Sequence, residues 1–154
     1  MPGRDTKRAI GARRSTRSSD NLTAAQRSLC MSRIRSKGTG PELIVRRLVH
    51  RMGYRFRLHR ADLPGRPDLI LPRHRKVILV HGCFWHLHSC RYGRVVARTN
   101  ATYWRAKRQR TVHRDRESIR RLREMGWRVL VIWECWTKNP AMTERRLRRF
   151  LATD

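Results

Sequence analysis

Carboxylates are scarce in this chain. Only 11 Asp and Glu stand against 38 Lys and Arg in 154 residues, a formal net charge of +27 with His neutral. A charge of that size repels itself unless a polyanion neutralises it. Nucleic acid, an anionic membrane and a polyacidic protein are the partners able to do so. Long apolar runs are missing too. No segment approaches the roughly 18 residues of a membrane span. The basic N-terminus lacks the apolar stretch of a secretory signal. These absences leave nucleic acid as the leading partner and the cytoplasm as the expected compartment. The excess of Arg over Lys suits bidentate phosphate contacts, and a GC-rich genome would give the same bias. Cysteine is sparse: Cys30, Cys83, Cys90 and Cys135, with no CxxC pair. Without a secretory signal, and with two of the four set among histidines, a metal site in a reducing compartment reads better than disulfides.

The length fits one domain with one ordinary hydrophobic core, and no internal repeat is present. Met1–Gly40 holds ten Lys and Arg against two Asp, with few apolar residues. Residues 1–38 therefore read as a flexible basic arm, with a helical turn near Thr23–Ile34. Such a stretch is either a solvated tail or an arm that folds on DNA. Residues 39–154 read as the folded domain. Thr39-Gly40-Pro41-Glu42 is a helix start, with a Thr cap, an early Pro and a Glu three residues after the cap. Ile44, Val45, Leu48, Val49 and Met52 supply the apolar stripe, and Gly53 ends it. Tyr54, Phe56 and Leu58 alternate with polar residues as in a strand. After the turn Leu63–Pro67, Asp68–Leu71 and Lys76–His81 read as two more strands. The second is apolar on both faces, like a central strand. A long helix is expected over Thr102–Met125, a buried strand over Trp127–Trp133, and a last helix from Asn139-Pro140. The expected class is α/β, one domain with a central mixed sheet flanked by helices.

The densest chemistry lies in His81-Gly82-Cys83-Phe84-Trp85-His86-Leu87-His88-Ser89-Cys90, three His and two Cys in ten residues, directly after an apolar strand. Imidazoles and thiols bind transition metals, and imidazole moves protons near neutral pH. His88 and Cys90 offer two zinc ligands on one loop, and Cys135 follows the last strand. A structural zinc needs a fourth. Asp115 shares a helix face with Val112, Ile119 and Leu122, where an unpaired carboxylate is costly. Coordination would remove that cost, and so would one of the many arginines. Cys83 is left to the core.

The few acids are placed suggestively. Asp68 opens a strand, where a carboxylate can hold Mg²⁺, or it is simply a turn residue. Glu42 is a capping residue or a member of the same site. His81 and His86 are candidates for general base or acid. Phe84, Trp85 and Trp104 either pack in the core or wedge between base steps. Trp127 and Trp133 read as core.

Four strings carry a resemblance: Leu63-Pro64-Gly65-Arg66-Pro67-Asp68; Val80-His81-Gly82-Cys83-Phe84-Trp85-His86-x-His88-x-Cys90; Thr99-x-x-x-Tyr103-Trp104; and Gly126–Cys135. In order and spacing, over about Met31 to Leu151, they resemble the very short patch repair DNA mismatch endonucleases. The resemblance implies a restriction-endonuclease-like fold. It also implies nicking of one strand of duplex DNA 5′ to the T of a T:G mismatch, the lesion left when 5-methylcytosine deaminates. A functional association with a cytosine-5 DNA methyltransferase follows, and we expect a monomer. The resemblance makes Asp68 and the main-chain carbonyl of Val80 ligands of a catalytic Mg²⁺. It puts His86 at the attacking water with Glu42 and His81 in support, gives a structural Zn²⁺ the ligands His88, Cys90, Asp115 and Cys135, and assigns Phe84, Trp85 and Trp104 to intercalation. Many metal-dependent nucleases of this fold carry an acidic-x-Lys pair on the strand after the Asp. Here that strand ends Val80-His81-Gly82, which agrees with the mismatch family and argues against an ordinary restriction enzyme. A non-catalytic zinc-stabilised nucleic-acid-binding protein is the rival from another class. It leaves Glu42, Asp68 and His86 without a role, and scattered positions for these three would favour it.

Overall fold

The computed structural model of the chain describes Thr23, Gln26, Leu29, residues 37–97 and residues 99–153. The chain divides into two units, Met1–Arg33 and Ile34–Asp154. In the first, Gln26 and Leu29 are helical. The Thr23 N–H donates to Gln26 Oε1 (2.8 Å) and the Gln26 N–H to Thr23 Oγ1 (3.2 Å), a reciprocal cap at a helix start. The rest of the expected basic arm, and Cys30 with it, lies outside the described residues.

The second unit holds α1 (Gly40–Arg51), β1 (Leu69–Leu71), a 3₁₀ turn (Pro72–His74), β2 (Lys76–His81), α2 (Ala101–Glu124), β3 (Arg128–Trp133), the short α3 (Glu134–Thr137) and α4 (Pro140–Ala152). The three strands form one mixed sheet in the order β1-β2-β3, antiparallel between β1 and β2 and parallel between β2 and β3. The helix starts follow their sequence signals. Thr39 caps α1 by accepting from the Glu42 N–H, and Asn139 caps α4 by accepting from the Met142 N–H at 3.0 Å. One expected strand is missing. Tyr54, Phe56 and Leu58 alternate correctly, and Tyr54 and Phe56 pack on the core, but only Arg57 pairs, by an isolated bridge to Ile70. The β1 partner is three residues long, too short to template a fourth strand along its whole length.

Strand alternation splits the core in two. Leu69, Leu71 and Ile78 face α1 and α4, packing with Val45, Leu48, Val49, Leu147 and Leu151. Ile70 and Val77 face the other way, against Leu63, Leu122 and Trp127. The period-2 geometry of a strand sends neighbouring residues to opposite faces, so the sheet is sandwiched between helices. Lys76 is buried at the start of β2 and its Nζ donates to the Leu151 carbonyl at 2.9 Å, tying α4 to the sheet. The parallel register pairs His81 with Trp133, so β2 and β3 end together. The loops leaving both strands emerge at one sheet edge, where ligands bind in open α/β sheets. No helix among the described residues is long and apolar enough to cross a membrane.

Candidate active site and metal centre

Asp68, at the start of antiparallel β1, meets the end of β2. Its Oδ2 accepts the Val80 N–H at 2.6 Å. A cleft of about 290 Å³ opens there, lined among others by His59, Asp68, Val80, His81, His86 and Asp115. Burial, reinforced by the charge of Glu42, pushes the Asp68 carboxyl up to about 6 against the pull of the Val80 N–H. Burial and then the neighbouring His86 bring His81 down to about 4, against the opposing charge of Asp115. The His81 and His86 rings stack, with centroids 3.9 Å apart and planes within 8°. His86 Nδ1 lies 2.5 Å from Asp115 Oδ2.

Glu42 stands behind this cleft and does two things. Its Oε2 accepts the Gly38 N–H at 2.7 Å, from the residue just before the Thr39 cap. Its Oε1 faces the Arg46 guanidinium and, at 3.0 Å, His59 Nε2. The other nitrogen of His59 lies 3.9 Å from Asp68 Oδ1. Glu42, His59 and Asp68 thus form one cluster able to hold a cation. His59 escaped sequence reading, because nothing in the Arg-rich stretch around it marks a site residue. Its backbone is left-handed (φ +46°), a conformation that His, like Asn and Asp, adopts more readily than most non-Gly residues.

The thiols gather elsewhere. Cys83, His88, Cys90 and Cys135 bring one donor atom each within 4.8 Å of one another. His88 Nδ1 is 3.4 Å from Cys135 Sγ and 3.7 Å from Cys83 Sγ. Tetrahedral zinc, with bonds of about 2.3 Å to sulfur and 2.0–2.1 Å to nitrogen, would hold N and S about 3.6 Å apart. The donor set therefore fits zinc. Burial pushes the Cys83 thiol up to about 12. At Cys90 burial acts in the same sense but is outweighed by hydrogen bonds from the Gly93 backbone, His88 and Cys83, which bring the thiol down to about 6. A bound metal would deprotonate its thiols outright.

Two expectations need correcting. Asp115 does not join His88, Cys90 and Cys135. The register of α2 sets it against His86, so its carboxylate is satisfied by an imidazole and not by zinc. The fourth donor gathered with those three is Cys83, buried there with its sulfur also accepting the Cys135 N–H at 3.3 Å. The available signal was chemical: three soft donors within eight residues, Cys83, His88 and Cys90, suit zinc better than a distant carboxylate. Trp133 is likewise not simply core. It is half-buried in the seam between the two clusters, stacked on His88 at 4.3 Å and edge-on to His81 at 5.5 Å. Glu134, also unforeseen, accepts the Cys83 N–H at 3.1 Å and so braces the turn that carries the ligands.

Phe84, Trp85 and Trp104 come together as a half-buried ring cluster. Centroids lie 5.2 Å apart for Phe84–Trp85, 5.7 Å for Trp85–Trp104 and 6.2 Å for Phe84–Trp104, all edge-to-face. Lys107 hangs over the cluster, its Nζ 5.2 Å from the Trp104 ring. The rings thus sit together beside a cation, Phe84 and Trp85 on the loop that also carries His86 and Trp104 on α2.

Known proteins are similar to this chain in sequence. Residues 19–92 match the family model described as DNA mismatch endonuclease Vsr. The type II nicking enzyme V.XorIIP of Xanthomonas oryzae is 46% identical over 132 residues, spanning 86% of this chain and 96% of that protein. The type II nicking enzyme V.NmeAIP of Neisseria meningitidis is 36% identical over 132 residues, 86% of this chain and 94% of the relative. The DNA mismatch endonuclease Vsr of Escherichia coli is 42% identical over 127 residues, covering 79% of this chain and 81% of its own. Similarity of this extent makes the chain a member of the DNA mismatch endonuclease Vsr family.

Proposed function

We propose that this chain nicks one strand of duplex DNA, 5′ to the T of T:G mismatches, by Mg²⁺-dependent hydrolysis of a phosphodiester. The observation that carries the reading is the convergence of Asp68, His81, His86 and Asp115 on one cleft, beside a half-buried ring cluster. A binding protein has no use for that convergence. The names of the relatives, mismatch endonuclease and nicking enzyme, point the same way.

In this reading Asp115 accepts the Nδ1 proton of His86 and fixes its tautomer, leaving Nε2 with a free lone pair. A water held there loses its proton to Nε2 as its oxygen bonds to phosphorus, the opposite P–O ester bond breaks, and the leaving sugar oxygen takes up a proton from solvent. His81, neutral at pH 7, keeps the His86 ring in plane by stacking and adds no competing positive charge. Asp68, with the Val80 main-chain carbonyl, would hold Mg²⁺, and Glu42 supports Asp68 through His59. Mg²⁺, when bound, supplies charge stabilisation at the scissile phosphate. Zinc on Cys83, His88, Cys90 and Cys135 would hold the loop that presents both His86 and the rings. Phe84, Trp85 and Trp104 would enter between base steps, where a T:G pair costs less to unstack than a matched one.

The net charge of +27 suits a duplex partner, and affinity would fall steeply with salt. We take the enzyme to act as a cytoplasmic monomer alongside a cytosine-5 methyltransferase, the activity that creates the precursor of its lesion. The deciding experiment is a nicking assay on T:G and matched duplexes of one sequence with Mg²⁺. Strand-specific nicking of the T:G duplex that is lost in Asp68→Ala supports the reading. Equal cleavage of both duplexes would make the protein a sequence-specific nuclease.

A further inference from the structure

Arg108 is an arginine that DNA cannot reach. It sits on the buried face of α2 at 6% exposure, whereas the other arginines among the described residues mostly face solvent. No carboxylate pairs with it among its hydrogen-bond partners. Its Nε instead donates to the Phe84 carbonyl at 2.6 Å, Nη1 donates to the Val95 carbonyl at 2.9 Å, and Nη2 donates to the Gly93 carbonyl. The same guanidinium lies under the Phe84 ring, Cζ 4.3 Å from its centroid. A buried charge without a counter-ion is costly, and its burial is reflected in a lowered affinity for its proton. Three carbonyl dipoles and a ring face offset that cost, and their arrangement is informative. Phe84 belongs to the loop after β2, Gly93 and Val95 to the segment approaching α2. Trp104 lies four residues before Arg108, one turn along the same helix. One planar fork therefore joins every segment that carries a ring of the cluster.

We propose that Arg108 is a positioning residue for the aromatic wedge: its guanidinium fastens the Phe84–Trp85 loop to the helix bearing Trp104, so that the rings enter the duplex as one rigid body. The inference rests on the reading that these rings unstack bases. Opening a base step is costly, and a loose wedge must also lose the freedom of its own loop on insertion. A pre-ordered one does not. A lysine in place of Arg108 would keep the charge but not the planar fork that reaches three carbonyls at once.

The test uses full-length protein and a duplex with 2-aminopurine beside the T of a T:G mismatch, at saturating protein so that amplitude and not affinity is read. Zinc content reports whether each variant is folded. Wild-type protein should brighten the probe. Arg108→Met, with zinc retained, should lower that gain about tenfold, and Arg108→Lys should recover less than half of it. A wild-type amplitude in Arg108→Met, or full recovery by Arg108→Lys, overturns the fork. If Arg108→Met fails to hold zinc, the lysine variant alone decides: reduced gain with zinc bound supports the inference and full gain rejects it. Trp85→Ala separates the two levels. An undiminished signal in that variant removes the wedge and the clamp together. Its loss, with full signal in both Arg108 variants, removes only the clamp.

Discussion

His86 and His88 are two residues apart and serve different clusters. His86 Nδ1 bonds Asp115 Oδ2 at 2.5 Å, whereas His88 Nδ1 lies 3.4 Å from Cys135 Sγ. Leu87 between them has φ +53°. A left-handed residue without a glycine's freedom costs of order 1 kcal/mol, and here it reverses the local path so that successive imidazoles point to opposite sides of a seam filled by Trp133. The catalytic candidate and the zinc candidate are thereby mechanically joined while remaining chemically separate.

That separation predicts distinct phenotypes. Asp115→Asn preserves the size of the side chain but replaces a carboxylate that accepts the His86 proton by an amide that also offers one. The wrong tautomer of His86 then becomes competitive. Single-turnover nicking of a T:G duplex should fall by about 10²- to 10⁴-fold, while metal analysis still finds about one zinc per chain. Loss of zinc in this variant would return Asp115 to the thiol cluster.

Cys83→Ser should do the reverse. The hydroxyl is a poor zinc ligand, and the site would drop to three donors. Zinc content should fall well below one per chain, and the melting temperature should drop by about 10 °C or more. A strong chelator should bring wild-type protein to the same temperature. Asp115→Ala, melted in parallel with zinc retained, provides the control for a helix-face substitution alone.

Much of this organisation was legible in residue order. Thr39, Pro41 and Glu42 announce α1, Asn139 and Pro140 announce α4, and the apolar run of Lys76–His81 announces a central strand, because each signal acts within a turn or two of the chain. The collection of Asp68, His81 and His86 followed from the strand ends. What order did not reveal was choice between partners. Asp115 on the apolar face of α2 could satisfy its carboxylate with zinc, an arginine or an imidazole, and only the register of α2 against the loop after β2 selects His86. Cys83 read as a small apolar residue because burial and coordination look alike in a sequence. His59 and Arg108 were invisible for a third reason: one turns on a left-handed backbone, the other on carbonyls, and neither leaves a mark in residue type.

Asp68 gives a pH dependence with a definite sign. Its carboxyl, raised to about 6 chiefly by burial, holds a proton more tightly in the folded chain than in the unfolded one. Metal-free protein therefore has its full contribution from this group below about pH 4 and loses it as pH rises through 6. A divalent cation must displace that proton. Apparent Mg²⁺ or Mn²⁺ affinity should fall about tenfold per pH unit below 6 and flatten above it. Calorimetry in buffers of different ionisation enthalpy should count nearly one proton released per cation at pH 5 and almost none at pH 8. Asp68→Asn, expected to abolish nicking, should make the metal-free protein more stable at pH 7, by up to about 3 kcal/mol. A wild-type denaturation midpoint for this variant at pH 7 would show that the carboxylate is solvated in the native protein.

Gly93 offers the most direct test that backbone packing holds the metal ligands. A Cβ built there would stand 2.0 Å from the His88 carbonyl oxygen. That atom is main chain and cannot swing aside as a long side chain could. The Gly93 N–H also donates to the Cys90 carbonyl at 3.1 Å, and the Gly93 carbonyl accepts from Arg108. Moving this residue displaces His88, Cys90 and the fork of Arg108 together. Gly93→Ala should release zinc at chelator concentrations that leave wild-type protein loaded, and should weaken T:G nicking in the same preparation. Excess zinc would restore the nicking if the displacement is confined to the ligands, since mass action pulls the loop back toward its bound geometry. Gly40→Ala, at a helix position where the built Cβ meets nothing within 4 Å, should leave zinc retention at the wild-type level, which separates the clash from the loss of a glycine as such.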